Sequence, residues 1–148
     1  MKINSIMFVC TGNTCRSPMA EQIFVDILNS NGEQGVKVAS SGLSCINGMD
    51  MTEEAKQALV NMGLKPYPHY STRFDMRMLA EYDLIVTMTT THKFMIGILD
   101  KVFSMQDIVG YDISDPYGAT QEDYDDCAYS IKKGLLVLFD EYKKQSSN

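Results

Sequence analysis

The chain has 148 residues, 45% of them hydrophobic and 22% charged, with a net charge of −6; that length buries one core and is short for two, so one domain over residues 1–148 is expected. Its acidity excludes a nucleic-acid backbone held by clustered Lys and Arg, and no apolar run is long enough to span a bilayer. The N-terminus lacks a charged lead, long apolar stretch and cleavage site, which predicts a soluble, cytoplasmic protein, and a monomer with neither nucleic acid nor membrane as partner is expected.

In chain order, Ile6-Met7-Phe8-Val9 reads as a short buried strand, and Ser17-Pro18 as an N-cap followed by proline at the first helical position. Ala20, Ile23, Phe24, Ile27 and Leu28 repeat at helical spacing, and Asn31-Gly32 supplies the stop. Val36 to Ser40 alternates like a strand, after which Asp50 and Glu53 form a capping box for a helix through Ala55, Leu59 and Met62, closed by Gly63. A short helix is expected near 75–81, a buried strand over Asp83 to Met88, a helix from Thr91 to Leu99, and a fourth short strand at Val102-Phe103. Glycine and aspartate crowd residues 107–118. Tyr124, Cys127, Ala128, Ile131, Leu135, Leu138, Phe139 and Tyr142 then hold one face of a long last helix, with Gln145 to Asn148 as a frayed tail.

Strands alternating with helices imply an α/β fold: a four-stranded parallel sheet covered on both faces by about five helices, a single-domain three-layer sandwich. Ligands of such sheets bind beyond the carboxyl ends of the strands. That is where Cys10 falls.

Residues 11–16 must therefore form a tight strand-to-helix loop, Thr11-Gly12-Asn13-Thr14-Cys15-Arg16. Gly12 and Asn13 tolerate left-handed backbone angles, so successive amides can turn inward, and the following helix adds the positive end of its dipole. The loop is a cradle for a tetrahedral oxyanion. At its entry the amides, the dipole and Arg16 would all stabilise a Cys10 thiolate, and Arg16 offers a planar fork for two phosphate oxygens. The bland alternative is a structural cysteine beside a surface arginine; the strand, Gly, Asn, Arg, Ser and Pro falling together where a phosphate loop needs them weighs against it.

The run from Cys10 to Pro18, a cysteine, five residues, Arg, Ser and Pro, resembles the signature of the low-molecular-weight protein tyrosine phosphatase family, and Asp115-Pro116-Tyr117-Gly118 resembles its second motif. The resemblance implies strand order 2-1-3-4 and a mechanism without cofactor or metal. Cys10 is then the nucleophile and Arg16 the oxyanion clamp, with the amides from Thr11 to Arg16 as the phosphate-binding set. It gives Ser17 a hydrogen bond to the Cys10 sulfur beside its reading as a helix cap, and gives Asp115 the role of acid and then base, where a turn aspartate is the plain alternative. Tyr117 becomes an aromatic wall at the mouth, and Asn13, Ser40 and His69 a buried network supporting the loop. His92 receives no role.

Cys15, on the same loop as Cys10, could trap its oxidised form as a disulfide, or could be a small core side chain. Cys45 and Cys127 read as structural, and the eleven methionines as core filler. No cysteine and histidine spacing suits a metal.

The substrates implied are phosphorylated proteins or peptides. The stretch from Cys10 to Glu21 resembles the bacterial protein arginine phosphatase branch of the family. Tyrosine-directed members carry a larger aliphatic residue where this chain has Thr11, whose hydroxyl can take part in placing phosphoarginine. Tyr117 stands where that branch has phenylalanine and leans toward phosphotyrosine. Phosphoarginine is slightly favoured. Arsenate reduction would need resolving cysteines that residues 80–100 lack, and a non-catalytic phosphate or redox module would not need Asp115.

Overall fold

The computed structural model describes residues 2–146. Strands β1 (Ser5–Cys10), β2 (Lys37–Gly42), β3 (Leu84–Thr87) and β4 (Val102–Ser104) form one parallel sheet in the order β2-β1-β3-β4. Among the described residues there are six helices: α1 (Arg16–Ser30), α2 (Glu53–Asn61), α3 (Met78–Glu81), α4 (Thr90–Ile96), α5 (Met105–Val109) and α6 (Gln121–Ser146).

All six residues of β1 are buried, because helices cover both faces. Ile6, Phe8 and Cys10 point into a core shared with α1, α2, α5 and α6, whereas Met7 and Val9 join Tyr82, Ile85, Ile96 and Val102 on the α3 and α4 side. Phe8 meets Phe24 edge to face at 5.8 Å, tying the central strand to α1.

Several boundaries differ from the sequence expectation for identifiable reasons. Helix α1 begins at Arg16 with Cys15 as its cap residue, so Ser17 is not the N-cap; its hydroxyl is drawn into the loop instead. The cap of α2 is Thr52, whose hydroxyl accepts from the Ala55 amide, while Asp50 pairs with Lys56 at 2.7 Å. Helix α4 stops at Ile96 because Gly97 takes φ 132°. The fourth strand runs one residue further, to Ser104, which caps α5 in a box with Asp107; five residues are too few to show a helical period. Helix α6 starts at Gln121 and continues through Gln145 to Ser146, so the expected frayed tail begins in part as helix, and residues 147–148 lie outside the described residues.

Candidate active site

The loop from Thr11 to Cys15 joins the carboxyl end of β1 to the start of α1. Its carbonyls are held from outside: Cys10 O accepts from Leu43 N–H (2.9 Å), Thr11 O from Ser44 N–H (3.0 Å), Thr14 O from Thr52 N–H (3.0 Å) and Cys15 O from Met19 N–H (3.1 Å). A peptide's C=O and N–H point in opposite directions, so these bonds turn the amides of Thr11, Gly12, Cys15 and Arg16 toward the hollow of the loop. The helix dipole of α1 adds positive potential at the same place.

Asn13 makes the turn. It has φ 55° and is fully buried, a conformation Asn tolerates better than most side chains. Its Nδ2 donates to Ser17 Oγ (2.8 Å) and Ser40 Oγ (3.0 Å), its Oδ1 accepts from Thr72 N–H (2.8 Å), and its carbonyl lies 2.7 Å from His69 Nε2. Asn13, Ser40 and His69 are thus one buried network. Two members were missed by sequence reasoning. Ser40 donates to Glu21 Oε1 (2.8 Å), and the other Glu21 oxygen accepts from Tyr67 Oη. Gly42, paired with Cys10 in the ladder, leaves room for the loop: a Cβ there would sit 2.5 Å from Thr11 O.

Cys10 Sγ lies 2.9 Å from Ser17 Oγ. Since Asn13 donates to that hydroxyl, the single Ser17 proton is available to the sulfur or to Ser41 O at 3.3 Å. The Arg16 side chain is buried, donates from Nη1 to Ile113 O (2.9 Å), and has Nη2 3.7 Å from Asp115 Oδ2. The segment 113–115, far along the chain from the loop, thereby reaches the arginine. Asp115 is half exposed and accepts from Tyr117 N–H (3.0 Å), so its carboxylate is both anchored and open to solvent. Tyr117 beside it is 73% exposed, a ring at the mouth rather than in the core.

Thr11 Oγ1 lies 2.8 Å from His92 Nε2 and 3.5 Å from Arg16 Nη2. His92 is the residue of the site that sequence reasoning left without a role. It is buried, and its pKa is pushed down to about 4, chiefly by burial and then by the Arg16 charge, so the ring is neutral at neutral pH. A signal existed: Thr89 and His92 stand three apart at a helix start, and they form a capping box in which the His side chain accepts from the Thr89 amide.

Cys15 faces away from the hollow, with Sγ 3.5 Å from Tyr124 Oη and 3.7 Å from Thr52 Oγ1. Burial pushes the Cys127 thiol up to about 12 and raises that of Cys45. Among the described residues no group of His, Cys, Asp and Glu is gathered as metal ligands, and no helix is long and apolar enough to cross a membrane. A groove of about 960 Å³ lies at the opposite end of the sheet between residues such as Ile3, Leu84, Phe103 and Tyr142. It holds none of the groups just described.

A thiol, a buried guanidinium, inward amides and a solvent-accessible carboxylate at one loop suit phosphoryl transfer to sulfur. The family model for low molecular weight phosphotyrosine protein phosphatases matches residues 5–148. The chain belongs to this family. The protein-arginine-phosphatase of Bacillus subtilis (strain 168) is 33% identical over 147 residues, 94% of this chain and 97% of that protein. The low molecular weight protein-tyrosine-phosphatase PtpB of Staphylococcus epidermidis is 35% identical over 126 residues, 81% of this chain and 86% of its own length. A solved structure of the arginine phosphatase YwlE, a cysteine-to-serine mutant with a phosphorylated active-site serine, superposes with a TM-score of 0.86 at 32% identity, covering 95% of this chain and 96% of that one. As a low molecular weight phosphatase, the chain is a cysteine-based enzyme acting on phosphorylated proteins.

Proposed function

We propose that this phosphatase acts on phosphoarginine in proteins, through a phosphocysteine on Cys10. The observation that carries the reading is the hydroxyl of Thr11, directly after the nucleophile and 2.8 Å from His92 Nε2. A polar group beside the reacting centre suits a P–N linkage, which has an N–H donor next to phosphorus where an aryl ester has only an acceptor oxygen. The 33% identity to a protein-arginine-phosphatase supports the same reading.

In the first step the Cys10 thiolate attacks phosphorus in line. The P–S bond forms, the P–N bond breaks, and the leaving nitrogen takes a proton from Asp115. The loop amides and Arg16 hold the equatorial oxygens, and the Ser17 hydroxyl donates to the sulfur. In the second step Asp115, now a carboxylate, takes a proton from water as that water attacks phosphorus. The P–S bond breaks and inorganic phosphate leaves. Asn13, Ser40 and His69 position the loop without touching substrate, and Cys15 contributes its amide.

Phosphotyrosine is the second reading, favoured by the exposed Tyr117 ring beside Asp115, against which a substrate ring can stack. The enzyme is read as a cytoplasmic monomer needing no cofactor or metal and binding neither nucleic acid nor membrane. Its net charge of −6 supports the exclusion of nucleic acid.

The test is kcat/KM on matched phosphoarginine and phosphotyrosine peptides for the wild type and Thr11→Ile. Phosphoarginine should be the better wild-type substrate, and the substitution should lower the ratio of the two activities about ten- to a hundredfold, the cost of one lost polar contact. A wild type that turns over phosphotyrosine alone makes the second reading the correct one.

A further inference from the structure

The ring of His92 carries its hydrogen-bonding pattern on both sides. Nδ1 lies 3.2 Å from the Thr89 amide nitrogen, an obligate donor, and 2.9 Å from Thr89 Oγ1. Nδ1 therefore accepts. In a neutral imidazole that puts the proton on Nε2, which then donates across 2.8 Å to Thr11 Oγ1. Burial and the nearby Arg16 keep the ring neutral, so the site gains a directed donor without gaining a second cation.

A threonine hydroxyl has one proton and two lone pairs. His92 occupies one lone pair. The Arg16 Nη2 contact, at 3.5 Å, stands at the limit of hydrogen bonding and competes only weakly for the other. What remains on Thr11 is one donor and one acceptor. A phosphoguanidinium group offers the matching pair on neighbouring atoms, a phosphoryl oxygen that accepts and a linking N–H that donates. A phosphotyrosine offers acceptors on both atoms.

We propose that His92 is a positioning residue for substrate selection: by donating from Nε2 to Thr11 Oγ1 it sets the Thr11 hydroxyl to present one donor and one acceptor to the P–N linkage of phosphoarginine. This rests on the phosphoarginine reading above and adds a residue that does not itself touch substrate. Without the Nε2 donor the Thr11 hydroxyl is free to rotate, and its preference for the P–N linkage falls even though Thr11 is still present.

Two amide replacements separate the two ends of the ring. In His92→Asn the side-chain oxygen reaches the position of Nδ1 and still caps Thr89, but the donor to Thr11 is gone. In His92→Gln the amide nitrogen reaches the position of Nε2 and restores the donor. On matched peptides, His92→Asn should lower the phosphoarginine to phosphotyrosine ratio of kcat/KM about tenfold, and His92→Gln should hold it within about twofold of wild type. In a Thr11→Val background His92→Asn should leave the ratio where Thr11→Val put it. A His92→Asn enzyme that loses both activities equally, or keeps the wild-type ratio, overturns the positioning role while leaving the phosphoarginine reading intact. A wild type without phosphoarginine turnover overturns both. Independently of any variant folding, nitrogen NMR of the wild-type ring should show the proton on Nε2 at pH 7; a proton on Nδ1 overturns the proposal.

Discussion

Asn13 Nδ2 donates across 2.8 Å to Ser17 Oγ, so the residue that bends the loop after β1 also holds the hydroxyl next to the Cys10 sulfur. One side chain thereby couples loop shape to the surroundings of the Cys10 sulfur. Asn13→Ala removes three side-chain hydrogen bonds, leaves the Thr72 amide without its acceptor, and forces alanine to φ 55°. The expected cost is about 2–4 kcal/mol in stability, with phosphate affinity and turnover lost together. Thermal unfolding and phosphate titration check this; a variant with wild-type stability and phosphate affinity would show that the network does not shape the loop.

The loop was legible in the sequence because its parts are adjacent. A buried strand, Gly12-Asn13, Arg16 and Ser17-Pro18 lie within a dozen residues, and each has a local physical signature. What holds the loop in shape was less legible. Gly42 matters only because Thr11 O approaches it, and Glu21 only because Ser40 lies opposite, and neither relation has a sequence period. Helix α5 escaped notice for a similar reason: it sits against α6 where Gly134 leaves space for Met105 and Val109, a fit made by tertiary contact. His92 carried a readable capping signal, but its other face, toward Thr11, is 81 residues away in the chain.

The depressed pKa of His92 makes stability depend on pH in a stated direction. Its ordinary value is 6.5 and its folded value about 4. Between these the unfolded chain binds a proton that the folded chain refuses, so stability is full above about pH 6.5 and is lost as pH falls toward 4. His92 should account for at most about 2 kcal/mol of loss between pH 7 and pH 5. The exposed carboxylates Asp50 and Asp107, held below their usual range by Lys56 and Lys93, titrate lower. Denaturant unfolding of wild type and His92→Gln at both pH values should show a smaller loss in the variant. Equal losses would place the acid sensitivity elsewhere.

Oxidation should distinguish the four cysteines. Cys127 and Cys45 have raised pKa values and so are poor thiolates at neutral pH, whereas Cys15 shares the loop with Cys10. A sulfenic acid on Cys10 is therefore expected to be trapped by Cys15 once its side chain turns from Tyr124 and Thr52. Mild peroxide should inactivate wild type and Cys127→Ser reversibly and Cys15→Ser irreversibly, as judged by activity regained with a thiol reductant. If Cys15→Ser recovers as fully as wild type, Cys15 is a packing residue.

A phosphoryl group passing through sulfur at Cys10 is the central step of the proposed mechanism. Rapid acid quench of wild type during turnover of a radiolabelled phosphopeptide, followed by peptide mapping, reads that intermediate directly. The label should appear on the peptide containing Cys10 within the first turnover, and Cys10→Ser should bind phosphate yet retain no more than a trace of turnover. Full turnover with no label on that peptide, or sustained activity in Cys10→Ser, would contradict the mechanism.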